Sequence, residues 1–478
     1  MPNKTKSKKQ TKHAYSVSEI KEILEKLLPV WDHYNLNEGY GLLFFDKNKD
    51  IDLSRGFTVG SVNTNSPQKI TSKTFTRFAS ISKMFTSILI MQLVTDKKIK
   101  FTDRAVKYIP ELPPKAKFTI WDLLLHQAPI QRDGGTSSWS EGFWNESILQ
   151  DLTKDTMIDI GEAKMKYSNF GYSLLGLIIE RVTGKSYKKV VKERIYDKLG
   201  MRETWADATL EFFKYVTQKY NCQRDDVYQH IAGGTRTYHY GKIRRQVIDP
   251  KLTWCEMKSF APAAGIVSTL ADMNIFVRAL IKGPKIFNIS EVVWKKCIKP
   301  IIKVEGDVLG AGFEMVERDG YKLIGFSGGH NGITSFLLVD PKQQVGVVIF
   351  NQQLDIRAYT YFDIVFSILK LLQIDGRLKG KKTKIPNSKL KRFEGLYEDE
   401  WSIVNIVNIR GRLVSFTADK TPNWSNPTIL QSISGNIFRQ DDTGAYGNRG
   451  EKVKFEIKDG CMCMITGGEI MRRVKITS

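Results

Sequence analysis

Hydrophobic positions recur along this chain with two different periods. In residues 18–28, Ile20, Ile23, Leu24, Leu27 and Leu28 fall on one helical face, which predicts an amphipathic helix. Residues 39–46 (GYGLLFFD) form a short apolar run that ends in the polar stretch 47–50. A strand is expected there, with residues 54–63 as its return strand. The apolar run 84–94 predicts a helix with little polar surface. Residues 119–126 (TIWDLLLH) predict a short helix that stops before Pro129, and 134–141 a polar loop rich in Gly and Ser. The run 173–183 reads as an apolar helix closed by Gly184. Within 261–279 a turn precedes a helix, capped in the stretch from Ser268 to Asp272. Residues 323–350 predict two strands. The first is Gly-rich and runs from Gly325 through Gly332 to Val339; the second, 345–350, follows a turn at Asp340-Pro341. A last helix is expected over 357–372.

The pattern changes after a basic segment that contains Pro386. Short alternating runs at 403–409, 413–417, 453–457 and 472–476 are separated by Gly, Asn and Asp. They predict a small all-β domain, a barrel or a sandwich. The expected division is a basic disordered tail (1–17), a main domain (18–375), a basic linker (376–390) and the β domain (391–478).

Composition narrows the function classes. The chain has 478 residues, 41% of them hydrophobic, enough for a sizeable core and two or three domains. No run of eighteen apolar residues is present, so no membrane-spanning helix is expected. The first twelve residues hold five lysines and no apolar stretch, unlike a secretory signal. Five scattered cysteines suggest reduced thiols, and together these features point to an intracellular protein. The net charge of +22 comes from lysine spread along the whole chain, without an RNA- or DNA-reading motif. Nucleic acid is therefore not the expected partner.

Candidate chemistry begins at Ser80-Ile81-Ser82-Lys83. A serine and a lysine three apart at a helix start lie on one face, where the helix N-terminus offers N–H groups and positive potential. Such a place can make a hydroxyl nucleophilic and hold the oxyanion it generates. Ser-x-x-Lys occurs six times in the chain, and only Ser80 combines a helix start, a preceding β-like run and an apolar continuation. Its other reading is an ordinary N-cap serine. Tyr167-Ser168-Asn169 supplies a proton relay if its first and third side chains face one cleft. A phenol beside an ammonium should have a lowered pKa and pass protons, and Asn169 can hydrogen-bond a substrate amide and the lysine. Tyr167 could equally be an aromatic packed at a helix entry.

Four segments, FASISKMFTSILIMQLV, KYSNFGYSLLGLIIERVTGKSY, APAAGIVSTLADMNIF and GFSGGHNGITSFLLVDPKQQVGVVIFNQ, together resemble the serine β-lactamase and penicillin-binding-protein superfamily. The similarity is to the branch with class C β-lactamases, D-aminopeptidases and serine esterases, over residues 18–372. The tail is similar to a small β domain appended to hydrolases of this group.

The resemblance implies an α/β (α+β) fold: an antiparallel sheet flanked by helices, a helical subdomain across a cleft, then a small all-β barrel-like domain. It implies Ser80 as acylated nucleophile, Lys83 and Tyr167 as its proton-handling partners, and Asn169 as a substrate-positioning residue. Gly329, beside Gly328, would complete the oxyanion hole with the backbone of Ser80. Phe326 stands where the family's third motif carries His or Lys. A phenylalanine attracts no carboxylate, which favours small esters, amides or peptides over β-lactams. A different register would give the third-motif role to His330-Asn331-Gly332. After His126 the family's usual Thr-Ser-Gly-Leu is replaced by Gln127-Ala128-Pro129-Ile130. The chemistry requires no metal or cofactor. The alternative is a catalytically impaired relative with a binding or structural, filament-type role.

Overall fold

The computed structural model describes residues 16–475 except 36–38, 47–50, 53–54, 64–65, 136, 139–140, 162–163, 234, 241, 305–306, 319, 353–384, 400–402, 418–426, 442–449 and 467–468. All but the last two residues of the expected basic tail, the helix over 357–372 and most of the basic linker lie outside the described residues.

By contacts these residues divide into two compact units. One lies within Glu38–Arg357, and the other joins the helix Val17–Asn35 to residues from 385 onward. The first unit is built on an antiparallel sheet. Among the described residues it has nine strands, in the order Ile51–Asp52, Gly39–Asp46, Val345–Asn351, Ile333–Asp340, Tyr321–His330, Phe313–Arg318, Asp307–Gly310 and Ile302–Val304, with Phe57–Gly60 also paired to Gly39–Asp46. The central strands Ile333–Asp340 and Val345–Asn351 are buried almost throughout, which is why they read as continuous apolar runs rather than as alternation.

The Gly-rich segment departs from expectation. It is not one strand from 325 to 339 but two, Tyr321–His330 and Ile333–Asp340, folded back on each other at Asn331-Gly332. Both turn residues have positive φ, +31° and +84°. That is the backbone a two-residue hairpin requires, and Asn-Gly is the sequence that adopts it most readily.

A helical layer faces the sheet. The helix Ser82–Thr95 is buried on nearly every side, so its sequence lacks a polar stripe. Asn169–Thr183 packs beside it. Ser168 caps that helix by accepting the Gly171 N–H at 2.9 Å, and Gly184, at φ +67°, ends it. The helix Leu270–Lys282 is capped by Thr269, which accepts the Asp272 N–H. One continuous core runs from Met84, Phe85 and Ile88 through Leu174 and Ile178 to Phe326, Leu337 and Phe350, so helices and sheet are fixed against each other.

The second unit contains a closed barrel of eight antiparallel strands, of which the alternating runs in the sequence anticipate half. Tyr397, Ile406, Leu413, Leu430, Phe438, Val453, Phe455, Met464 and Met471 form its core. The helix Val17–Asn35, longer than the expected 18–28, is tied to it. Arg410 donates to both Glu19 oxygens at 2.6 and 2.9 Å, Lys26 Nζ to Glu394 at 2.7 Å, and Asn405 to the Lys26 carbonyl at 2.9 Å.

Candidate active site

Ser80 sits in a tight 3₁₀ turn, Ala79–Ile81, between the short strand Thr76–Arg77 and the helix Ser82–Thr95. Ala79 has φ +46°, a strained value for a residue with a β-carbon. The turn is held from below. The Ser82 hydroxyl donates to the Ala79 carbonyl at 2.6 Å and accepts the Ile266 N–H at 2.9 Å. Arg77, fully buried, donates to the carbonyls of Thr253 and Cys255 at 3.1 and 2.6 Å and lies 3.8 Å from buried Asp207. Ser80 caps neither helix, so the N-cap reading of this serine does not describe it.

Its hydroxyl instead stands 2.8 Å from the Tyr167 hydroxyl and accepts a hydrogen bond from Lys83 Nζ at 3.0 Å. Lys83 is completely buried, one helical turn on. Its Nζ also donates to Asn169 Oδ1 at 2.7 Å and to the Ala263 carbonyl at 2.9 Å, which uses all three ammonium protons. Burial pushes Lys83 well below its ordinary pKa. The negative charges of Asp133 and Glu314 offset part of this, and Arg132 adds to it.

Tyr167 moves the opposite way from expectation. Loss of solvent around the phenol raises its pKa above the usual value, and the Ser80 hydrogen bond offsets this only in part. Lys83 Nζ lies 4.8 Å from the centre of the phenol ring; the charge of Glu314 adds to the rise and that of Arg132 offsets part of it. Tyr167 therefore enters the network as a neutral hydroxyl, able to donate and to accept.

Asn169 is the first residue of its helix rather than part of an extended loop. Its side chain is buried, with Oδ1 on Lys83 and Nδ2 on Asp133 Oδ1 at 2.6 Å. Asp133 was not signalled by the sequence. It lies in an irregular loop 36 residues from Asn169, and only folding brings the two together.

The strand Tyr321–His330 passes in front of Ser80. A β-carbon on Gly328 would come within 2.3 Å of the Phe78 carbonyl oxygen and 3.2 Å of the Ser80 nitrogen, so this strand can press on the Ser80 turn only with glycine here. This contact favours the register that puts Phe326, Ser327 and Gly328 in the third-motif positions. Asn331 and Gly332 are used in the hairpin turn. Phe326 is buried, its ring centre 5.9 Å from Lys83 Nζ. Ser327 donates its N–H and its hydroxyl to Glu314 at 2.9 and 2.8 Å, a carboxylate that the sequence gave no reason to select. Gly329 follows, exposed on the strand. His330 stands apart from this group. It is buried, with Nε2 3.2 Å from the Leu252 carbonyl, and burial and Arg77 hold its pKa well below the ordinary value.

The Beta-lactamase family model matches residues 42–359, well over half of the chain, and the chain belongs to that family. Among curated proteins it is 29% identical over 250 residues to a putative D-alanyl-D-alanine carboxypeptidase of Escherichia coli (strain K12), covering 47% of this chain and 54% of that protein. It is 24% identical over 313 residues to Protein flp of Staphylococcus aureus (strain COL), covering 63% and 57%. It is 26% identical over 408 residues to Beta-lactamase-like protein 2 of Dictyostelium discoideum, covering 76% and 69%. The chain thus spans little more than half the length of the first two. Its fold is shared with the octameric penicillin-binding protein homologue from Pyrococcus abyssi (TM-score 0.57, 18% identity, 96% of this chain and all of that one). It is also shared with D-amino acid amidase from Ochrobactrum anthropi SV3 (TM-score 0.55, 21% identity, 70% and 91%).

Proposed function

We propose that this protein is a serine hydrolase that works through an acyl-enzyme on Ser80. The observation that carries the reading is the continuous hydrogen-bonded chain Tyr167–Ser80–Lys83–Asn169, with separations of 2.7–3.0 Å. In its neutral form Lys83 takes the Ser80 proton as Oγ attacks the substrate carbonyl. The lowered pKa of Lys83 makes that form available. The proton then travels from the Lys83 ammonium to the leaving group through the Tyr167 hydroxyl, which gives up one proton as it takes another, so both side chains end neutral. The N–H groups of Ser80 and Gly329 hold the oxyanion. Water then attacks the acyl-enzyme by the reverse relay. Asn169 acts on Lys83 more than on substrate, since both ends of its amide are engaged.

Small esters, amides or peptides are the preferred substrates. Phe326 offers no charge to a carboxylate, and Glu314, whose charge acts on both Lys83 and Tyr167, is unfavourable to one. The names of the amidase and carboxypeptidase relatives support amide or peptide bonds as the class.

The test is intact mass after incubation with a fluorophosphonate and, separately, with a penicillin, using Ser80→Ala as control. A single fluorophosphonate adduct that the control lacks is the expected result. A penicillin adduct as well would extend the substrates to β-lactams. No adduct with either reagent would sink the hydrolase reading and leave a binding or structural role.

A further inference from the structure

We infer that His126 is the clamp that sets Tyr167 against Ser80, a positioning residue for acylation. The inference rests on the serine-hydrolase reading above. The backbone N–H groups of the two residues on either side of Tyr167 both end on His126. The Lys166 N–H donates to the His126 carbonyl at 2.7 Å, and the Ser168 N–H donates to His126 Nδ1 at 3.0 Å. The imidazole also lies against the phenol ring of Tyr167, with centroids 4.5 Å apart and planes 30° from parallel. Its distance to the ring of Tyr172 is 5.1 Å. One residue therefore fixes the backbone before and after Tyr167 and supports its ring, and the phenol hydroxyl meets Ser80 at 2.8 Å.

The arrangement is held at a cost, which sets it apart from ordinary core packing. His126 has φ +57°, a conformation disfavoured by a β-carbon. Its ring is 3% exposed. Because Nδ1 accepts a hydrogen bond, the neutral ring carries its proton on Nε2, and that N–H has no partner among the described residues. Backbone strain and an unmet buried donor are each destabilising, and such features gather where geometry is used. The clamp needs a neutral ring, since a protonated Nδ1 cannot accept the Ser168 N–H. Burial and the nearby charge of Lys83 push His126 down to about 3, so the acceptor survives over the whole neutral range.

The test is a double-mutant cycle on the rate of fluorophosphonate acylation of Ser80, followed by intact mass. The proteins are wild type, His126→Ala, Tyr167→Phe and the double variant, with the melting temperature of each recorded. His126→Ala should slow acylation by about 100-fold, the loss that a ~1 Å misplacement produces. In the Tyr167→Phe background it should slow acylation by less than about threefold, because the clamp acts through the phenol. His126→Asn should recover at least about a tenth of the wild-type rate, since Asn tolerates positive φ and its amide oxygen can accept the Ser168 N–H. Equal slowing in both backgrounds, or no slowing at all, overturns the clamp alone. A wild-type protein that takes up no reagent overturns the hydrolase reading and the clamp with it.

Discussion

At the scale of single residues, the proposed mechanism requires Lys83 to be uncharged when the substrate arrives. If neutral Lys83 is the base, acylation should rise with pH along an acid limb whose midpoint lies well below the ordinary lysine value. Lys83→Arg, which cannot lose its proton, should slow acylation by about 10²–10⁴-fold. A pH–rate profile of fluorophosphonate labelling checks both. The same shift appears in stability. Between the lowered folded pKa of Lys83 and ~10.5, the unfolded chain binds the proton and the folded one does not, so stability rises with pH across that window. The melting temperature of wild type relative to Lys83→Met should therefore increase from neutral pH toward pH ~10. Phe326 gives a prediction on specificity. Phe326→His should raise the rate of penicillin acylation relative to ester turnover by about tenfold or more, a change of ~1.4 kcal/mol in discrimination. An unchanged ratio would remove Phe326 from the account of substrate choice. Ser80, Lys83, Tyr167 and Asn169 were legible because each lies in a short motif of chemically telling residues. Asp133, Glu314 and His126 were not, because nothing in their own neighbourhoods distinguishes them from ordinary loop, strand and helix-end residues.

At the scale of elements, the site is a junction of a helix start, a capped helix and a strand edge. The helix starts follow from local chemistry: Ser168 and Thr269 cap their helices as their types suggest. The strand is more demanding. Gly328 is pressed against the Phe78 carbonyl and the Ser80 nitrogen, so Gly328→Ala should displace the strand from the nucleophile. Acylation is expected to fall by about 100-fold or more while a folded protein is retained. Labelling kinetics together with thermal melting separate the two effects. The Asn331-Gly332 turn shows how a signal can be present and overlooked. A run rich in Gly, Phe and Ile reads as one long strand until the Asn-Gly pair is given its turn-forming weight. The direction of the Tyr167 shift was misjudged for a related reason. Proximity of a lysine is inferable from a motif, but the extent of desolvation depends on everything that packs around the hydroxyl.

At the scale of the whole molecule, the helix Val17–Asn35 and the barrel strands belong to one unit. Glu19 accepts two hydrogen bonds from Arg410, which hold its carboxyl down at about 2 against the opposing effect of burial, and Val30 packs on Leu396. The pair is partly exposed, so its net worth is ~0–1 kcal/mol and falls with salt. Glu19→Gln should therefore leave global stability nearly unchanged and yet speed amide exchange within the helix Val17–Asn35, most visibly at low ionic strength. Hydrogen-exchange mass spectrometry over residues 17–35 checks this. The partner of that helix was not legible in the sequence. Its apolar stripe states that one face is buried, but the stripe carries no address for the strands it is tied to, more than 350 residues away.

The sequence by itself determined the periodicities that make the helices and central strands, the β character of the C-terminal part, and the two short motifs that hold the proposed nucleophile and its proposed relay. These are properties of residue types at fixed local spacing, and they persist whatever the rest of the chain does. Only the tertiary structure decided that Lys83 is fully desolvated, that Asp133 meets Asn169, that Glu314 fills the strand edge at Ser327, and that His126 grips both sides of Tyr167. Those facts depend on distances between segments far apart in the chain and on exclusion of water by their joint packing. No local pattern encodes them, and they are what turn a serine and a lysine one helical turn apart into a chemically poised pair.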